Sequence, residues 1–72
     1  MKLRFTYHAQ SQGLARHIIM SRIAGTIRRP DLSGDAAGGA MLYRKKFNNG
    51  ILEVICRRIS KNEYLVITAY FL

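Results

Sequence analysis

Apolar and polar residues alternate most clearly between Ala40 and Ile59, on either side of Asn49-Gly50. Asn-Gly between two apolar-rich runs is a strong short-range hairpin signal. A type I′ turn needs positive φ at both central residues, and Asn and Gly tolerate that best. With the turn at Asn49-Gly50, Phe47 pairs with Leu52, Lys46 with Glu53, Lys45 with Val54, Arg44 with Ile55 and Tyr43 with Cys56. Faces alternate along each strand. One face then carries Met41, Tyr43, Lys45, Phe47, Leu52, Val54, Cys56 and Arg58. The other carries Leu42, Arg44, Lys46, Ile51, Glu53, Ile55 and Arg57.

A second hairpin follows. Ser60-Lys61-Asn62-Glu63 is a turn cluster, and Tyr64 to Phe71 is β-branched and aromatic. A loop of even length sets Leu65, Ile67, Ala69 and Phe71 on the first face, and Tyr64, Val66, Thr68 and Tyr70 on the second. An odd loop would exchange them. The first face is apolar and wants cover. The second mixes cations, a carboxylate, hydroxyls and aromatic edges.

Upstream the period changes. Lys2 to Thr6 is short and mixed, an edge strand or lead-in. Thr6 can cap a helix from Tyr7 to Arg16, whose apolar positions Ala9, Leu14 and Ala15 are sparse. Gly13 costs that helix up to ~1 kcal/mol relative to Ala. Between Ile18 and Arg29, Ile19, Ile23 and Ile27 recur every fourth residue, joined by Met20 and Ala24. That stripe predicts a helix lying on the apolar face and ending before Pro30. Ser33 to Gly39 reads as a flexible loop. The expected fold is α+β: two N-terminal helices on one face of a three-stranded antiparallel meander (α-α-β-β-β), in a single domain spanning 1–72.

Composition narrows the function. A chain of 72 residues buries about 60% of its unfolded surface, which favours a surface site over a deep pocket. Twelve Lys and Arg against four Asp and Glu leave a net charge of +8. That balance points to a polyanion: RNA, DNA or an acidic protein. The single cysteine, Cys56, falls on the apolar face and reads as a buried hydrophobe. One Cys and two His make no metal-ligand spacing. The Gly-rich loop lacks the Lys-Ser/Thr of a phosphate-binding loop, so no cofactor is expected. Lys2 and Arg4 precede polar His8, Gln10 and Gln12 rather than the apolar run of a signal peptide. No stretch approaches the ~20 apolar residues of a membrane helix, and a reducing cytoplasm is the expected compartment.

Candidate chemistry lies in three places. His8, in the first turn of the first helix, is positioned to stay neutral and to act as base or acid, or is a plain surface histidine. His17 reads as a turn residue. Glu53 is set between Lys46 and Tyr70, as a general base or as half of an ion pair with Lys46. Arg44, Lys46 and Arg57 on the open face can hold phosphates while Tyr64 and Tyr70 stack bases, and Thr68 lies beside them. Metal-independent RNA cleavage needs a base, an acid and cations for the phosphate. His8, Glu53, Tyr70, Arg44, Lys46 and Arg57 are the right types.

Tyr7-His8-Ala9, Arg16-His17-Ile18, Ile23 and Ile27 before Pro30-Asp31, Tyr43-Arg44-Lys45, Leu52-Glu53-Val54-Ile55 and the closing Val66-Ile67-Thr68-Ala69-Tyr70 together resemble a family of small bacterial and phage domains of unassigned function. That family is grouped with ribonuclease toxins of the RelE and barnase type. The resemblance covers nearly the whole chain. It implies a cytoplasmic α-α-β-β-β domain, RNase activity, a cognate acidic antitoxin, and His8, Arg16, Thr68 and Tyr70 as positions of interest. Gln12-Gly13 departs from the arginine the family often carries in mid helix one, and the loop after Leu32 is long for the pattern.

The leading expectation is a toxin-like endoribonuclease acting on free or ribosome-associated RNA. His8, Glu53 and Tyr70 would be catalytic, and Arg16, Arg44, Lys46, Arg57, Tyr64 and Thr68 would contact nucleic acid. The alternatives are a non-catalytic module binding nucleic acid or an acidic partner through the same basic face, and a homodimer joined through a sheet edge.

Overall fold

The computed structural model describes residues 1–14 and 17–72 in full and the backbone alone at positions 15 and 16. Five strands form one sheet: β1 (Lys2–Phe5), β2 (Leu32–Asp35), β3 (Met41–Phe47), β4 (Gly50–Ser60) and β5 (Glu63–Phe71), in the order β1-β5-β4-β3-β2. β1 runs parallel to β5, and every other pair is antiparallel. Three short helices, α1 (Tyr7–Ser11), α2 (Leu14–His17) and α3 (Met20–Arg28), connect β1 to β2. The expected three-stranded meander is therefore corrected to a five-stranded mixed sheet. It gains an edge strand on each side: β1, which takes the edge-strand reading of Lys2 to Thr6 and turns its alternating Leu3 and Phe5 to the core, and β2, which pairs through backbone and presents no apolar alternation to read.

Thr6 caps α1 as expected: its Oγ1 accepts from the Ala9 N–H at 3.1 Å. The single helix expected over Tyr7 to Arg16 is broken at Gln12-Gly13, where Gly13 adopts φ 67. That left-handed step costs glycine least. α3 buries Ile23, Thr26 and Ile27, and the Thr26 hydroxyl donates to the Arg22 carbonyl at 2.7 Å, which satisfies it inside the core. Ile19 does not join the stripe. It is the extended N-cap of α3 and 62% exposed, and Met20 is exposed beside it. Arg29, before Pro30, leaves helical geometry as expected.

The segment expected to be a loop, Ser33 to Gly39, is partly strand. Leu32–Asp35 pairs with Met41–Arg44 of β3, and the turn closes with Ala36 N–H donating to Ala40 O at 2.8 Å. Gly38 and Gly39 make that turn at φ 70 and φ 79.

The β3–β4 turn also moves. Phe47 pairs with Gly50, so the turn residues are Asn48 and Asn49, and the strands slide by two positions from the expected register. No described non-glycine residue has positive φ, which rules out the type I′ geometry, and Gly50 takes φ 133. Arg22 lies 5.2 Å from the Phe47 ring centroid and donates from Nη1 to Asn49 Oδ1 at 2.8 Å, fixing the turn against α3. A slide of two preserves parity, so the two faces of β3 and β4 survive the correction.

On β5 they do not. Leu52↔Phe71, Glu53↔Tyr70, Val54↔Ala69 and Ile55↔Thr68 follow the expected pairing, but the next pair is Cys56↔Val66. Ile67 is an extra residue, a β-bulge. Beyond it the faces exchange. Val66 is fully buried and Tyr64 packs against the core, while Leu65 pairs with Arg57 on the opposite face. The core joins Ala9, Leu14, Ile18, Ile23 and Ile27 to Leu52, Val54, Cys56, Val66 and Ala69, so the helices cover one face of the sheet. Among the described residues, no helix is long and apolar enough to cross a membrane.

Candidate functional site

The face opposite the helices is organised in rows that run across the strands. One row is Leu32, Arg44, Glu53 and Tyr70. The next is Gly34, Leu42, Ile55 and Thr68. Lys46 and Ile51 lie to one side, and Arg57, Leu65 and Arg4 to the other. Leu32, Ile51 and Tyr70 are exposed here. The result is an apolar platform with cations at both ends.

The polar centre is Glu53, only 4% exposed. Arg44 Nε donates to Glu53 Oε1 at 2.7 Å, and the Tyr70 hydroxyl donates to Oε2. The partner is Arg44 rather than the expected Lys46, because the slide places Lys46 opposite Ile51. The Tyr70 hydrogen bond, then the Arg44 bond and charge, hold the Glu53 carboxyl below its ordinary value despite burial. The same bond, with burial second, raises the Tyr70 phenol. Glu53 is therefore an ionised carboxylate with both oxygens engaged, an anchor for Arg44 and Tyr70 rather than a free base.

Cations are plentiful and mostly unpaired by acids. Of the described lysines and arginines, Arg4 (with Glu63) and Arg44 (with Glu53) form ion pairs. Lys45 Nζ donates to Arg29 O at 2.8 Å, and Arg58 to the carbonyls of Ser60 and Lys61 at 3.1 and 2.7 Å. Arg57 donates to Gly38 O. These bonds satisfy donors without cancelling charge.

The expected site residues divide. Arg44, Lys46, Glu53, Arg57, Thr68 and Tyr70 share the open face. Tyr64 does not, since the bulge turns it toward the core. His8 is exposed on α1, on the helical side of the sheet, and is not brought to Glu53. Arg16 lies outside the described residues.

A second feature went unread in the sequence. Gln12 and His17 line a groove of about 280 Å³ together with Ala9, Leu14, Ile18 and the stretch Thr68 to Phe71. The Gln12-Gly13 break brings this about, since it ends α1 and lets Leu14 and His17 of α2 line the groove opposite β5. The helix-breaking glycine was the available signal. Cys56 sits on the core face as expected, and burial pushes its thiol up to about 11.

No family model matches this chain, and neither a curated protein nor a solved structure matches it.

Proposed function

We propose that this protein is a non-catalytic nucleic-acid-binding module that lays its ligand on the open face of the sheet. The carrying observation is that face itself: an uncovered apolar platform with an exposed tyrosine, flanked by Lys46 and Arg57, with Arg44 and Arg4 held to Glu53 and Glu63, in a chain of net charge +8. Phosphates meet the cations, and bases stack on Tyr70 and the aliphatic side chains. Tyr70 is suited to this because Glu53 pins its hydroxyl, so little ring freedom is lost on binding.

The test is fluorescence anisotropy with RNA and DNA over a range of salt. Lys46→Ala and Arg57→Ala are each expected to weaken binding and to lower the salt slope by about 0.7 to 0.9 for each phosphate that is no longer neutralised. Absence of binding at low salt overturns the reading.

Cleavage of RNA is the second reading. Separation of His8 from Glu53 counts against the expected catalytic pair. What favours turnover is that His17 lines the same groove as Tyr70 and Thr68, which sets one imidazole, a side chain that can act as acid or base, at the rim of the open face. An RNA degradation assay decides between the two readings. Products that accumulate with wild type and not with His17→Ala favour the ribonuclease, a cytoplasmic toxin in which an acidic antitoxin would cover the basic face.

A further inference from the structure

We propose that the groove beside the free edge of β5 is a docking subsite for an unpaired nucleobase, so that the open face selects single-stranded nucleic acid over duplex. The inference deepens the binding reading and rests on it.

β1 accompanies β5 only over Glu63–Val66. The Thr6 N–H donates to Val66 O at 3.0 Å, its Oγ1 reaches Ile67 O at 3.4 Å, and the chain then departs into α1. On that side β5 continues to Phe71 with no strand beside it, while its other side stays paired with β4. The Leu72 N–H donates to Ile51 O at 2.8 Å, so Leu72, and by the two-residue alternation Tyr70 and Thr68, address β4. Ala69 and Phe71 must turn their N–H and C=O groups outward. No described residue pairs with them. Backbone groups so placed need partners.

The groove supplies a site around that edge. Ala9, Leu14 and Ile18 give it an apolar wall, Gln12 and His17 stand on the helical side, and Thr68 and Tyr70 form the rim toward the open face. Its volume of about 280 Å³ admits a base with part of its sugar. An unpaired base presents donors and acceptors along one edge and needs an apolar or aromatic surface for its rings. Strand amides, an amide side chain, a hydroxyl and the ring of Tyr70, a residue 43% exposed, answer both needs. A base inside a duplex has that edge occupied. Charge complementarity argues for the same occupant, since the sugar-phosphate chain leaving the groove crosses directly onto the cationic face. An added peptide strand would use the same amides. It draws affinity from a long run of main-chain bonds, and this edge offers two outward residues.

The experiment is an amide NMR titration with short homopolymeric RNAs of each base and with a blunt RNA duplex, joined to anisotropy on wild type, Gln12→Ala and His17→Ala. Both substitutions are at exposed positions, and thermal melting checks that they fold. Expected are shifts at Ala69 and Phe71 with single strands, a preference among bases, weaker duplex binding, and loss of about tenfold in affinity in the variants with the salt slope unchanged. Binding with an unchanged salt slope but silent Ala69 and Phe71 amides, or equal affinity for duplex, overturns the subsite and leaves the binding reading standing. Binding to no nucleic acid removes both. Shifts at these amides with an acidic peptide and not with RNA replace the base by an added strand.

Discussion

Tyr70 donates its hydroxyl to Glu53 across the β4–β5 pair, and each residue sets the protonation of the other. The bond lowers the carboxyl and raises the phenol. Arg44 completes the row from β3 at 2.7 Å. Three adjacent strands are thus joined by one buried carboxylate on the face that no helix covers. Removing the hydroxyl leaves Glu53 with one partner. Tyr70→Phe is expected to destabilise the fold by about 1.5 kcal/mol, the lower end of the range for hydrogen bonds to a charged group. Chemical denaturation measures it, and carbon NMR of the Glu53 carboxyl should show its pKa rising. An unchanged midpoint would mean the bond contributes nothing to folding.

Acid should weaken the protein through the same residue. The folded carboxyl titrates below its ordinary value of 4.5. As pH falls, the unfolded carboxyl takes its proton first, so the unfolded state gains relative to the folded one. The contribution of Glu53 is complete above the ordinary value and is lost as pH falls through the folded one. Thermal melts between neutral and strongly acidic pH should show Tm falling in that window. Glu53→Gln should flatten this fall while lowering Tm at neutral pH, because Arg44 then loses its anion. A fall of the same depth in wild type and Glu53→Gln would assign the acid lability elsewhere.

Cys56 should be inert. It is enclosed with Val54 and Val66, and its thiol is raised to about 11, so almost no thiolate exists at neutral pH. Native protein is expected to resist alkylation and to react fully once unfolded in denaturant. Rapid labelling of folded protein would place Cys56 outside the core.

The two faces of β3 and β4 were legible in the sequence, although the turn was not. Alternation assigns a face by parity, and a slide of two residues leaves parity intact, so Val54 and Cys56 fall inside and Arg44 and Glu53 outside. Pairing is more fragile than parity, which is why Glu53 meets Arg44 and not Lys46. The Ile67 bulge was invisible because Val66 and Ile67 are both β-branched and apolar, and nothing in their side chains marks which is the extra residue. Tyr64 was misplaced for that reason alone. β2 was missed because Leu32-Ser33-Gly34-Asp35 carries no alternation: an edge strand is held by its neighbour's backbone. The groove depends on where α2 lies against β5, a tertiary relation that local pattern does not encode.

Gly13 offers a test in which the sequence and the structure call for opposite signs. In an uninterrupted helix over residues 7–16, Gly13→Ala would stabilise by up to ~1 kcal/mol, the helix-propensity difference between the two residues. In the structure Gly13 stands between α1 and α2 at φ 67, ψ 31. An alanine there carries its Cβ into the left-handed region, at a cost of about 1 to 2 kcal/mol. Gly13→Ala is therefore expected to destabilise, and Gly13→Asn to destabilise less, since asparagine tolerates that region better. Denaturant midpoints of the three proteins decide it. A stabilised Gly13→Ala would restore the single helix, move Gln12 and His17 away from β5, and remove the groove on which base selection depends.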